Sequence, residues 1–171
     1  MALIKSLRGF TPVFGKNCYL ADNATIIGDV VMGDDCSIWF NAVLRGDVNS
    51  IRIGNKVNIQ DNACLHTLYQ KSVVNIGDNV TIGHNVVVHG ATIKNNVLIG
   101  IGSVVLDHAV IGENSIIAAG AVVLEGTIVE AGSIYAGMPA KFIKKVDPSQ
   151  SKEMIEKIAS NYLFYASWYR E

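Results

Sequence analysis

The chain has no surplus of either charge, no long apolar run and no paired cysteine motif, and each absence removes a class of protein. Lys plus Arg (14) nearly balances Asp plus Glu (15), so the basic footprint that a nucleic-acid partner requires is missing. Half of the 171 residues are hydrophobic, yet no apolar stretch approaches the length of a membrane span. The opening "MALIKSLRGFTPVFGKN" has neither the sustained apolar core nor the small-residue cleavage site of a signal peptide. The three cysteines, Cys18, Cys36 and Cys64, show no CxxC spacing. An odd, unpaired set argues against a disulfide framework and for a reducing, cytoplasmic setting. The length suits one domain with a sizeable core.

What is present is a repeat of six. An aliphatic residue returns at Leu20, Ile26, Met32, Ile38 and Leu44, and resumes after an insertion at Ile53, Ile59 and Leu65. After a second insertion it continues at Ile76, Ile82 and Val88; one residue is then missing, and the series runs unbroken from Ile93 to Tyr135. Gly often follows the aliphatic residue, and a small or β-branched residue such as Ala24, Cys36, Ala63 or Ala121 stands four places after it. A helix of 3.6 residues per turn cannot hold this phase. A short strand closed by a tight turn can: the aliphatic residue fills an interior, the small one packs at a corner, and Gly or Asn takes the unusual turn dihedrals. Three such units make one coil of a triangular prism. The sequence therefore predicts an all-β repeat, a parallel β-helix over residues 20 to about 140, within a unit spanning 1–147.

A helix is expected over 148–171, packed along the prism. "DPSQ" offers Asp147 as N-cap, Pro148 at the first position and Gln150 at the third. Met154, Ile155, Ile158, Tyr162, Leu163, Ala166 and Tyr169 follow at near-helical spacing. Covering apolar surface and an exposed sheet edge is role enough for such a helix.

Assigning hexads in turn to faces A, B and C places the polar residues. Arg45, His66 and His89 occupy second positions on face B, stacked on successive coils roughly 4.8 Å apart. Gln60 is a second position on face A, where Asp61 and His84 are both third positions one coil apart. His66 and His89 are thus neighbours, and His84, five residues before His89, lies around a corner. A metal held by His66 and His89 of one chain and His84 of the next would join face B to face A, and repetition of that contact closes a homotrimer. Three imidazoles and an open position form the ligand set of a catalytic zinc, which generates hydroxide near neutral pH. His108 reads as an exposed residue, and Cys64, just before the interior Leu65, as a small space-filler.

The stretches "LRGDVNSIRIG", "NIQDNACLHT" and "IGHNVVVHGATI" give R-x-D, Q-D, H and H-x4-H in order. In this pattern the chain resembles the γ-class carbonic anhydrases and their close relatives among hexapeptide-repeat proteins, including those of phenylacetate and carnitine operons. The resemblance spans nearly the whole chain and implies a left-handed β-helix. It implies zinc, with iron or cobalt as alternatives, on His66, His84 and His89, and CO2 and bicarbonate as substrates. Gln60 would bond the reacting oxygen or orient substrate; Arg45 and Asp47 would pair across the subunit interface and shape the bicarbonate site; Asp61 would join that network; Tyr162 would reach the cleft. The resemblance does not extend to an efficient proton relay. The loop "TLYQKSVVNIG" has no Asp or Glu where the best-studied members carry a glutamate, and Val48 stands where they carry another acid.

Two other classes fit a hexapeptide repeat: an acyltransferase or thioesterase acting on a CoA thioester, and a non-catalytic subunit of a larger assembly. The three histidines are better explained as ligands than as a general base.

Overall fold

A computed structural model describes residues 1–147, 149 and 151–169. The hexads form a parallel β-solenoid of strands mostly two or three residues long. Regular coils repeat every 18 residues, with Ser115 beneath Ser133. The coil that carries the second insertion repeats after 23, with Asn58 beneath Thr81. Among the described residues, face A is an eight-stranded sheet running from Tyr19–Leu20 through Asn58–Ile59, Thr81–Ile82 and Leu98–Ile99 to Ser133–Ala136 and Lys141–Lys145. Faces B and C belong to one twelve-stranded sheet, because the strands Thr25–Met32 and Val43–Ile53 continue around the corner between them. That continuation is the first insertion seen in the sequence. Gly28 makes it feasible: its φ is +74°, and a Cβ there would lie 2.3 Å from the Gly46 carbonyl oxygen.

The interior is the aliphatic series itself. Ile38, Ile59, Ile82, Ile99 and Ile117 on face A are all fully buried, as are Leu44, Leu65, Val88 and Val105 on face B. Each buried side chain of this size contributes about 1.5–3 kcal/mol relative to exposure. Ala24, Ala42, Ala63, Ala109 and Ala121 are buried at the corners, where a larger side chain would hold the coils apart. The turns use left-handed residues, chiefly Gly and Asn, among them Asn62 (φ 61°), Asn85 (φ 58°) and Asn114 (φ 57°). Asn tolerates this region because its short polar side chain can hydrogen-bond the local backbone. Asn114→Val, at an exposed turn, is therefore expected to lower stability by about 1–2 kcal/mol, and Asn114→Gly by less than about 1 kcal/mol; urea midpoints of the two variants check the order.

The ends depart from the hexad rule. Leu3–Lys5 and Val13–Phe14 pair in parallel beneath Thr25–Met32, extending the prism below Leu20. At the other end the chain turns back at residues 137–140, and Lys141–Lys145 pairs antiparallel with Ser133–Ala136. Asp147 Oδ1 accepts hydrogen bonds from Ser149 N (2.8 Å) and Ser149 Oγ (2.6 Å), as a cap should. Pro148 and Gln150 lie outside the described residues. The regular helix begins later than expected: a π-helical turn, Ser151–Glu156, precedes α1, Lys157–Ser167. The wider i→i+5 turn shifts the phase. Ile155, Ala159 and Ala166 are buried, whereas Met154 and Tyr169, expected on the apolar face, are exposed. The helix packs on face A through an aromatic cluster that includes Tyr19, Trp39, Tyr162 and Tyr165. Among the described residues no helix is long and apolar enough to cross a membrane.

Candidate metal site

The face assignment places His89 in register with His66, and the strands Cys64–His66 and Val87–His89 pair in that register. Leu65 and Val88 point inward, so alternation turns both histidines out onto face B. Their rings lie 5.1 Å apart, with His66 Nδ1 3.1 Å from His89 Nε2. Each ring is held from its other side. His66 Nε2 is 3.1 Å from Asp47 Oδ1, and His89 Nδ1 is 2.7 Å from Asp107 Oδ2. On face A, His84 Nδ1 is 2.7 Å from Asp61 Oδ2. All three histidines therefore sit in the same arrangement: one ring nitrogen faces a carboxylate and the other is turned away from it. With the carboxylate-facing nitrogen protonated, the other carries a lone pair. This fixes tautomer and orientation as metal-ligating histidines require. The inner nitrogens of His66 and His89 face each other at hydrogen-bond distance, where one donates to the other; once that proton is lost, the two lone pairs form a ligand pair suited to a cation. Among the described residues of one chain, no third His, Cys, Asp or Glu completes a metal-binding group. His84 is not brought to the pair within the chain.

The remaining candidates fall into place around these rings. Arg45 and Asp47, two residues apart on the strand Val43–Ile53, share an outward face. Arg45 Nη1 lies 2.5 Å from Asp47 Oδ2, so the ion pair expected across an interface closes within one chain. Burial pushes the Asp47 carboxyl up, but hydrogen bonds from Arg45 and His66 and the Arg45 charge outweigh it and hold Asp47 below its ordinary value. Burial, with the Arg45 charge adding to it, lowers the His66 imidazole, which favours the neutral form that binds metals. Asp61 joins His84, not Arg45 and Asp47; its other oxygen accepts from Phe40 N at 3.1 Å. Gln60 is buried and donates from Nε2 to Asn58 Oδ1 at 3.0 Å, leaving its own carbonyl oxygen as an acceptor. Tyr162 on α1 reaches the site: its hydroxyl lies 3.4 Å from His84 Nε2. Burial, then the Asp61 charge, pushes that phenol up to about 12, so it stays a donor through neutral pH. His108 is exposed at a left-handed turn.

Asp107 and Ser72 were missed from sequence. The missing residue shortens this coil to 17, pairing Val88 with Val105, so Asp107 stands one position past the register partner of His89 and reaches back to its ring. Burial raises the Asp107 carboxyl, but hydrogen bonds from Ser72 and His89 outweigh that and lower it. Ser72 belongs to the inserted loop after His66; its hydroxyl bonds Asp107 Oδ1 closely and accepts from Leu68 N at 3.0 Å. The room for this contact comes from Gly90 (φ +61°), where a Cβ would lie 2.1 Å from Asp107 Oδ1 and 2.2 Å from Ser72 Oγ. The two irregularities next to His66 and His89 thus serve one carboxylate.

Comparison with known proteins places the chain among hexapeptide-repeat proteins. The family model for the bacterial transferase hexapeptide (six repeats) matches residues 11–46 and 90–125. The chain is 46% identical over 168 residues to a carbonic anhydrase of Geobacillus kaustophilus, covering 98% of this chain and 91% of the relative. It is 39% identical over 158 residues to the mitochondrial gamma carbonic anhydrase 2 of Arabidopsis thaliana, covering 90% of this chain and 56% of that longer protein. Among solved structures, a hexapeptide transferase family protein from Anaplasma phagocytophilum superposes with a TM-score of 0.91 at 40% identity, covering 98% of each chain.

Proposed function

The chain belongs to the γ-carbonic anhydrase-like family of hexapeptide-repeat proteins, and from that premise we propose that it catalyses the reversible hydration of CO2 to bicarbonate at metal sites shared between the subunits of a homotrimer. The observation that carries this reading is the convergence of His66 Nδ1 and His89 Nε2 with a carboxylate behind each ring, while the third equivalent histidine, His84, faces elsewhere with its own carboxylate. His66 and His89 of one chain, with His84 of its neighbour, would hold zinc; iron or cobalt suits the same imidazole donors. Such a cation supplies Lewis acidity that brings the ionisation of water close to neutral pH.

The chain's own residues supply the rest. Asp47, Asp61 and Asp107 orient the three rings and keep the lone pairs directed away from themselves. Gln60 offers its carbonyl oxygen to the proton of a water or bicarbonate hydroxyl. Arg45 adds a positive charge beside His66 and Asp47, which favours an anionic product. Tyr162 donates at the His84 edge of the cleft. Proton export has no dedicated acid in the loop after His66, where Thr67, Tyr69, Gln70, Lys71 and Ser72 are the polar groups. Turnover is accordingly expected to be slow at low buffer concentration.

A stopped-flow CO2 hydration assay on zinc- and iron-loaded protein, with elemental analysis, tests the reading. One metal per chain with catalysed hydration supports it; a full complement of metal with no hydration across about pH 6–9 rejects it. Asp107→Ala is expected to weaken metal binding by about 10–100-fold with little change in the unfolding midpoint, measured by competition with a chromogenic chelator. A transferase reading draws on the description of the Anaplasma structure. It requires tight CoA binding by a trimer that carries no metal, which calorimetry with CoA decides.

A further inference from the structure

Beside His84, face A and α1 enclose a cleft of about 250 Å³ whose walls are almost wholly aromatic: Trp39, Phe40, Tyr162, Tyr165, Trp168 and Tyr169. The seventh lining residue is Asp61. No Lys or Arg lines it among the described residues. We propose that this cleft is a binding site for a small quaternary ammonium group, held against the ring faces and next to the Asp61 carboxylate.

Trp39 is an anchored inner wall: it is nearly buried, and its Nε1 donates to Ser37 Oγ at 3.0 Å. Tyr162 meets Trp39 edge-on at 78° and Tyr169 meets it at 85°, so the rings stand around the cleft instead of stacking shut. Trp168 (57% exposed) and Tyr169 (53%) form the outer lip. These two lip rings, unlike the buried Trp39, stabilise the fold little by burial. Their faces carry partial negative charge and attract a cation whose hydration shell is weak, which is the character of a quaternary ammonium. Asp61 selects charge. Its oxygens accept from Phe40 N and face His84 Nδ1, which locks the carboxylate in place beside the rings. An anion is disfavoured there, and a neutral apolar group would gain nothing from the acid. All seven lining residues come from face A and the C-terminal segment of one chain.

The chain's only two tryptophans, Trp39 and Trp168, both line the cleft, so intrinsic fluorescence reports on it directly. Choline chloride is titrated into metal-free and zinc-loaded protein at constant ionic strength, with the neutral isostere 3,3-dimethyl-1-butanol in parallel. The expected result is a saturable fluorescence change with choline in both forms, and binding of the isostere weaker by about fivefold or more. Asp61→Asn is expected to weaken choline by a similar factor. So is Trp168→Leu, an exposed substitution that leaves Trp39 as reporter. The proposal is overturned by the absence of a saturable change, by equal affinity for the neutral isostere, or by unchanged choline affinity in both variants. Loss of zinc binding or CO2 hydration with choline binding intact would reject only the metal reading.

Discussion

His84→Ala is expected to yield a folded solenoid that binds no stoichiometric zinc and hydrates CO2 at the uncatalysed rate. His84 is half-exposed, with 37% of its side chain accessible, and follows Gly83 just beyond the strand Thr81–Ile82, so its removal opens no cavity in the core. The His66–His89 pair, with Asp47 and Asp107 behind it, remains intact in this variant. Two imidazoles alone do not make the three-ligand set of a catalytic zinc. The contrast between an unchanged unfolding curve and a lost metal separates a ligand from a structural residue. Elemental analysis and circular dichroism on the same preparation check both halves. Stoichiometric zinc in His84→Ala protein would remove His84 from the site.

Ile82→Ala should produce the largest loss of stability among single truncations on face A, about 2–5 kcal/mol. Ile82 is fully buried and pairs with Ile59 below and Ile99 above. In a solenoid each coil is held by its neighbours alone, so a cavity in a middle coil weakens two coil interfaces at once. The effect should reach the site, because Gly83 and His84 follow directly. Ile101→Ala is the control: this residue is 55% exposed at a turn and should change stability by no more than about 0.5 kcal/mol. Urea unfolding of the two variants measures the difference.

The interior of this fold was legible because a period of six leaves one aliphatic residue per face in a fixed phase. Counting faces through both insertions placed His66 under His89 and Asp61 under His84, and the strand register follows that count. The outward partners were less legible. Asp107 was overlooked because the hexad rule specifies what fills the prism and is silent on which outward side chain leans across to the next coil. Within the chain Asp61 faces His84, around the corner from Arg45 and Asp47, as its own face assignment required. The phase of the C-terminal helix was set by a π-helical turn, which depends on packing against face A and leaves no periodic mark. Leu3–Lys5 and Lys141–Lys145 lack the repeat altogether: they end the stack, with exposed side chains, where no further coil has to fit.

In the proposed trimer one chain supplies His66 and His89 and another supplies His84, and this sharing is what makes the site. It is tested most directly by co-expressing His66→Ala and His84→Ala protomers with different tags and assaying purified mixed trimers for zinc and CO2 hydration. Each variant alone has no complete site. In random mixtures a complete site forms wherever a His84→Ala chain, with its His66 and His89, meets the His84 of a His66→Ala neighbour. Every mixed trimer, two-to-one or one-to-two, has one such interface in three, so recovery of about a third of the wild-type zinc and activity is expected. No recovery in mixed trimers, or a wild-type monomer that binds zinc at full affinity, would contradict it.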